Sequence, residues 1–165
     1  MAIHLNTESM LHESLPEMLS VAKYCIEFRK NSSAWPDSGC YGYPAALILL
    51  SVADSIGSYV ERGNVKNHFN ILNNAEYYNL GLDDISLKVV HDYYRNPLAH
   101  NSALAPNIKL AIGKSNEKVI EKIDSKYHLK LVPLYKLSLV AVNKLLSDPK
   151  IFEKNRTIQD IEKKN

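Results

Sequence analysis

The sequence predicts a mainly α protein: a bundle of about five helices with a small antiparallel β-sheet inserted before the last long helix. Apolar residues recur at three- and four-residue steps in several segments, and the pattern changes to alternation within residues 107–132 before a helical pattern resumes. We expect one helical domain over residues 1–150, which includes the β-insertion at about 107–132, and a charged C-terminal tail over residues 151–165.

The first helix is predicted over residues 14 to 30, to which one earlier turn can be added. Ser14 and Glu17 have the spacing of a capping box, and apolar residues follow at helical steps. The second helix starts near Pro44, which suits a first turn, and stops before Gly63. Turn-forming residues separate the two helices and form a long loop that carries Trp35, Tyr41 and Tyr43.

A short third helix is expected in "VKNHFNILNN", and a fourth begins with Asp83 or Asp84 as its cap. Ile85, Val89 and Tyr93 recur every four residues in the fourth helix, which indicates that Tyr93 is a core or interface residue. After this helix, "PLAHNSAL" has room for about two turns before the next proline.

The β-insertion is predicted from two segments. Residues 108–112 alternate in polarity, and "KVIEKIDSKYHLKLV" indicates two strands around a turn at Asp124, Ser125 and Lys126. Pro133 then opens the last helix, which extends through Leu146.

Composition excludes several classes of protein. Hydrophobic residues at 45% and charged residues at 23% are typical of soluble globular domains, and the apolar run "PAALILLSVA" meets Asp54 before it could cross a bilayer. The N-terminus lacks the pattern of a secretory signal, so we expect a cytoplasmic protein. Cys25 and Cys40 form no metal-binding pattern, and a net charge of +2 is too small to indicate electrostatically driven nucleic-acid binding.

The stretch "YYRNPLAHN" combines an arginine and a histidine five residues apart. On an unbroken α-helix, Arg95 and His100 would point about 140° apart. Asn96 is a favoured N-cap and Pro97 a favoured first-turn residue, so we expect a break here that lets the two side chains converge. His100 would then lie in the first turn of a new helix, where the dipole disfavours a protonated imidazole.

A fixed cation beside a neutral imidazole suits RNA cleavage without a metal ion. The imidazole accepts a proton from a ribose 2′-hydroxyl, which attacks the adjacent phosphate, and the guanidinium stabilises the charge on the phosphoryl oxygens. The same two residues also fit a salt-bridge donor and a capping or packing group, and the residues alone leave both interpretations open.

The stretch resembles the motif of the HEPN superfamily, in which an arginine, a polar residue directly after it and a histidine after four intervening positions lie at a helix junction. The resemblance implies a metal-independent endoribonuclease whose catalytic residues face their copies across a two-fold homodimer, often in toxin–antitoxin or antiviral defence systems. It implies that Arg95 binds the phosphate, that His100 acts as base or acid, and that Asn96 assists. Ser102 stands where some members carry a modified tyrosine, so that form of regulation is not implied here.

Other residues near the motif have weaker roles. Asp54 is expected to pair with Arg95 as structural support, and Tyr94 and Asn101 are candidate substrate-binding residues because they adjoin the motif. A metal site built from His91, Asp92 and His100 lacks any standard spacing, so neither a metal nor another cofactor is expected.

The expected partners are RNA, a second copy of the chain, and an antitoxin or regulatory protein, with no membrane. The alternative function is a non-catalytic, dimeric helical module that binds RNA or a nucleotide or has a regulatory role.

Overall fold

The first helix, α1, begins earlier than the capping-box pattern predicted. A computed structural model describes residues 6–34, 39–61 and 63–152, and α1 spans Thr7–Glu27 in it. Asn6 accepts a hydrogen bond from the Ser9 backbone N–H at 2.8 Å, and the Ser9 hydroxyl lies 3.4 Å from the Asn6 N–H in return. This reciprocal cap starts the helix at Thr7, and the predicted capping residue Ser14 lies inside it.

The second helix, α2, is the buried centre of the fold, as predicted. It spans Gly42–Val60 and packs against α1, α3 and the last helix. Gly63 follows it with a φ of +90°, the left-handed conformation expected of a glycine beyond a helix end. Within the described residues, α2 alone is long and apolar enough to cross a membrane, a test that core helices of soluble proteins also pass. Trp35, assigned to the preceding loop, lies outside the described residues.

A series of short helices follows α2. These are α3 (Val65–His68), a 3-10 helix (Phe69–Leu72), α4 (Asp84–Val89), a π-helix (Val90–Arg95) and α5 (Asn96–Asn101). Asp83 caps α4 by accepting a hydrogen bond from the Ser86 N–H at 2.6 Å, which confirms one of the two predicted caps. The last three helices form one continuous helical segment from Asp84 to Asn101.

The predicted helix break at Asn96 is absent. Asn96 has helical dihedral angles (φ −64°, ψ −49°), and its N–H bonds to the carbonyl of His91, five residues back. In a regular α-helix the Pro97 ring would clash with the carbonyl of Tyr93, and the wider π-turn accommodates the proline without ending the helix. Asn96 therefore lies inside a helical segment and is not an N-cap.

The β-insertion is a three-stranded sheet, with β1 at Ile108–Ala111, β2 at Ile120–Ile123 and β3 at Lys126–Lys130. The order is β1-β3-β2, and the β2–β3 pair is an antiparallel hairpin, as predicted. Asp124 and Ser125 at its turn both have positive φ angles. The expectation of a wholly antiparallel sheet is wrong, because β1 pairs with the other edge of β3 in parallel. β2 precedes β3 in the chain and runs antiparallel to it, so β3 regains the direction of β1.

The last helix, α6, spans Leu131–Leu146 and includes Pro133 in its first turn, close to the predicted start. The predicted tail is not separate from the core at residue 151, because Phe152 is buried and its ring lies against those of His12 and Tyr59. The remainder of the predicted tail, residues 153–165, lies outside the described residues. The structure thus confirms a mainly α fold with a small sheet before the last long helix.

Candidate functional site

Asp54 lies at the centre of a polar cluster between α2, α3 and the π-helix. Its Oδ2 is 3.0 Å from Arg95 Nη2, and its Oδ1 is 2.9 Å from His68 Nδ1. The other ring nitrogen of His68 lies 3.2 Å from the Gly63 carbonyl oxygen. Both ring nitrogens of His68 thus have an oxygen within hydrogen-bonding distance. The expected pairing of Asp54 with Arg95 is present.

Gly57 explains how His68 comes so close to α2. A Cβ atom at Gly57 would lie only 2.1 Å from the His68 carbonyl oxygen, so only glycine fits where the two backbones meet. Gly57 follows Asp54 by three residues, nearly one helical turn, and therefore lies on the same side of α2. Sequence reasoning missed His68. The signal that could have helped is Gly57, because a glycine inside a helix indicates a close neighbour on that side.

Arg95 is held in place by contacts that use only some of its hydrogen-bond donors. Its side chain is 24% exposed, and its Nη1 donates to the Asn96 side-chain oxygen at 3.2 Å. Two of the five N–H groups of the guanidinium thus have partners within the described part of the chain. The geometry leaves a charged, oriented group with free donors at the edge of the solvent.

His100 is exposed and lies in the last turn of α5, not in the first turn that the sequence predicted. The expected place of His100 beside a helix N-terminus is therefore wrong. Asn101 ends the helix beside it and is also exposed, and Ser102 follows in a left-handed conformation with a φ of 52°. Neither His100 nor Asn101 has a hydrogen-bonded side-chain partner in the described ranges.

Within one chain, the backbone does not bring Arg95 and His100 together. The backbone stays helical at Arg95 and Asn96, so the rotation of about 140° between the two positions persists. Their environments agree with this rotation, because Arg95 faces α2 and His100 faces the solvent. The expected convergence through a helix break is wrong, and a shared site needs a group from elsewhere.

Tyr94, which was expected to bind substrate, lies in the core and not at the surface. It is fully buried, and its hydroxyl lies 2.9 Å from the carbonyl oxygens of both Lys109 in β1 and Tyr127 in β3. Burial raises the pKa of this hydroxyl. Tyr94 therefore fixes the sheet to the π-helix, which is a structural role.

Tyr93, which was expected in the core or at an interface, is 46% exposed and so lies outside the core. Ile85, in the same four-residue pattern, is 67% exposed, while Val90, Tyr94 and Leu98 form the buried stripe. Tyr93 lines an open groove of about 610 Å³ between α4, the π-helix and the sheet. The structure thus exposes an aromatic ring close to the motif.

His91 is buried, and its Nδ1 lies 2.6 Å from Asp92 Oδ1, with its ring edge against Phe69. His100 points into solvent elsewhere on the helical segment, so the three residues of the disfavoured metal site do not form a cluster. Across the described ranges, no three His, Cys, Asp or Glu side chains are grouped to hold a metal ion.

Comparison with known proteins adds no relative. No protein-family model matches the chain, and no curated protein and no solved structure matches it significantly. The resemblance to the HEPN superfamily therefore depends on the motif and on the helical architecture around it.

Proposed function

We propose that this protein is a metal-independent endoribonuclease of the HEPN type. The observation that carries the proposal is the state of Arg95, whose guanidinium is oriented by Asp54 and Asn96 and keeps free donors at the solvent edge. An oriented guanidinium is suited to phosphate oxygens, which it can contact through two parallel hydrogen bonds. His100 lies on the same helical segment, and its exposed imidazole is accessible to a substrate.

In the proposed reaction, one imidazole accepts the proton of a ribose 2′-hydroxyl while the 2′-oxygen attacks the adjacent phosphorus. The 5′-oxygen of the next nucleotide leaves with a proton from an acid, and a 2′,3′-cyclic phosphate remains. Arg95 stabilises the negative charge on the phosphoryl oxygens, and Asn96 keeps the guanidinium in place.

A second copy of the chain would complete this site. One His100 supplies a base or an acid but not both at once, and Arg95 of the same chain points away from it. A two-fold axis near α5 would place the two His100 side chains in one groove, and Arg95 of either copy would reach the phosphate from the edge of that groove. The active form is therefore proposed to be a homodimer, in the cytoplasm, acting as a toxin or a defence ribonuclease under control of a partner protein.

The alternative is a non-catalytic, dimeric helical module that binds RNA or a nucleotide or has a regulatory role. The ion pair with Asp54 favours it, because an arginine held in an ion pair can serve the fold alone. The two functions differ in whether RNA is cleaved.

The test is incubation of the purified protein with RNA in the presence of a metal chelator, beside Arg95→Ala and His100→Ala variants. His12→Ala is the matched control, because His12 is an exposed histidine that contacts Phe152 and not the motif. We expect products with a cyclic-phosphate end from the wild type and the control, and none from the two motif variants. Absence of cleavage, or equal cleavage by all four proteins, would overturn the proposal.

A further inference from the structure

We propose that the groove beside Tyr93 binds one unstacked nucleobase of the RNA strand, next to the nucleotide that is cleaved. This inference rests on the proposed ribonuclease function and names a subsite for it. It concerns residues outside the motif, and none of them is assigned a catalytic role.

The position of Tyr93 relative to His100 supports the proposal. Seven residues of one continuous helical segment separate them, which at roughly 1.5 Å per residue places them about 10 Å apart along its axis. Burial agrees with this arrangement, since Tyr93 and His100 are exposed, Pro97 between them is partly exposed, and Tyr94 and Leu98 are buried. A strand whose phosphate lies at His100 can therefore follow this face of the helix to the groove.

The walls of the groove suit a flat aromatic ligand. Tyr93 and Tyr127 contribute rings, Val89 and Ile108 contribute aliphatic surface, and the groove holds about 610 Å³. This volume lies within the range of ligand pockets and is enough for a base with its ribose. Bases stack on aromatic side chains in proteins that bind single-stranded nucleic acids.

Polar groups at the rim match the edge of a base and its backbone. Asn107 offers both a donor and an acceptor, Ser125 offers a hydroxyl, Asp84 an acceptor and Lys88 a cation. Asn107 and Ser125 are held at positive φ angles in the loops that border the sheet. A base edge needs donors and acceptors together, and the ammonium of Lys88 can contact a phosphate.

The probes for the test are chimeric oligonucleotides in which a single ribonucleotide, within DNA, supplies the only 2′-hydroxyl. Each carries either a purine or an abasic site directly before or directly after that ribonucleotide. Cleavage is measured as kcat/KM, with a chelator present, for wild type, Tyr93→Leu, Tyr93→Phe and Tyr24→Leu. Tyr24 is the matched control, because it is an exposed tyrosine on α1.

We expect an abasic site at one of the two positions to lower the kcat/KM of the wild type about tenfold or more, as base stacking on an aromatic ring implies. Tyr93→Phe and Tyr24→Leu should keep this dependence. Tyr93→Leu should have the same kcat/KM for the purine chimera as for the abasic chimera, and for the purine chimera this value should lie below that of wild type. The subsite is overturned if wild type cleaves both chimeras with equal kcat/KM. It is also overturned if Tyr93→Leu lowers kcat/KM for both chimeras by the same factor relative to wild type.

Binding of an all-DNA strand, measured by fluorescence anisotropy, separates this proposal from the ribonuclease proposal. Such a strand has no 2′-hydroxyl to attack. Binding that is weakened by an abasic site in wild type but not in Tyr93→Leu, without cleavage of any chimera, overturns the ribonuclease and supports the subsite. If the protein neither cleaves the chimeras nor binds the DNA strand, both proposals are overturned. Light scattering measures the oligomeric state of wild type and Tyr93→Leu. If wild type is a dimer and Tyr93→Leu is a monomer, the groove binds a second copy of the chain and the subsite is overturned.

Discussion

Asp54 and Arg95, which are 41 residues apart in the chain, form an ion pair between two helices, with 3.0 Å between Oδ2 and Nη2. The same carboxylate contacts His68, so one acidic residue on the central helix positions a side chain from each of two other segments. The side chains of Asp54 and Arg95 are 17% and 24% exposed, which reduces screening by water. The orientation of Arg95 therefore depends on α2 as well as on its own helix.

Replacing Asp54 with Asn should lower both stability and activity. The amide keeps the shape of the carboxylate but removes its charge, which leaves the guanidinium without its counter-ion. We expect the free energy of unfolding to fall by about 2 to 3 kcal/mol. Urea denaturation measures this loss, and the chelator-treated RNA assay should show a cleavage rate well below that of wild type.

The control for this prediction is Glu27→Gln, which removes the exposed pair between Lys23 and Glu27, 3.9 Å apart. Exposed pairs of this kind contribute about 0.5 kcal/mol or less. If the two variants lose equal stability, the Asp54 pair is no stronger than a surface contact. In that case Asp54 does not orient Arg95.

Gly57→Ala should disturb the site without touching any of its charged groups. The new methyl group would lie 2.1 Å from the His68 carbonyl oxygen, so α3 must move away from α2. We expect a loss of about 2 to 3 kcal/mol in unfolding free energy, as for overpacking elsewhere. Gly42→Ala is the control, because its nearest atoms would lie at 3.7 Å, and its stability should change little. Equal stability of the two variants would contradict the close approach of the two helices.

Tyr94→Phe should destabilise the fold and leave RNA binding unchanged. The variant loses the hydroxyl that bonds to the carbonyl oxygens of Lys109 and Tyr127 and retains the buried ring. We expect a loss of about 1 to 2 kcal/mol in chemical denaturation. Tyr93→Phe removes an exposed hydroxyl and serves as the control, with little change in stability. Weaker RNA binding by the folded Tyr94→Phe protein would restore the role that the sequence first assigned to Tyr94.

Several features set by neighbouring residues were predictable from the sequence, although the caps predicted at Ser14 and Asn96 were wrong. The Asp83 cap, the turn at Asp124 and Ser125 and the left-handed Gly63 each depend on local backbone preferences, and each was found where predicted. The partner of Asp54 was also predictable, since a carboxylate on an apolar helix needs a counter-ion. These local features were enough to give the fold class.

Features set by tertiary contacts were not predictable. Two stripes of apolar or aromatic residues repeat every four positions here, one through Val89 and Tyr93 and the other through Val90 and Tyr94. Periodicity identifies both stripes, and Val89 and Val90 are both buried, but only docking against α2 and the sheet buries Tyr94 and leaves Tyr93 exposed. The parallel pairing of β1 likewise depends on which edge of β3 remains free, and strand pattern alone does not specify it.

The Asp83 cap should make the stability of α4 depend on pH. The hydrogen bond from the Ser86 N–H holds the pKa of Asp83 below its ordinary value of 3.8. Since the pKa is lowered in the folded state, this contribution is present above the unfolded-state pKa and is lost as the pH falls through the folded-state pKa. Asp83→Ala should therefore have a lower urea midpoint than wild type at neutral pH, and the two midpoints should converge in acid.

The matched control for the cap is Asp84→Ala, because Asp84 is the next carboxylate along and caps nothing. Its removal should lower the midpoint less than removal of Asp83 does, since it loses only an interaction with the helix dipole. Hydrogen exchange of the Ser86 amide gives a local readout, and this amide should exchange faster in Asp83→Ala alone. A midpoint difference that stays constant from neutral pH into acid would show that Asp83 stabilises α4 by something other than its ionised carboxylate.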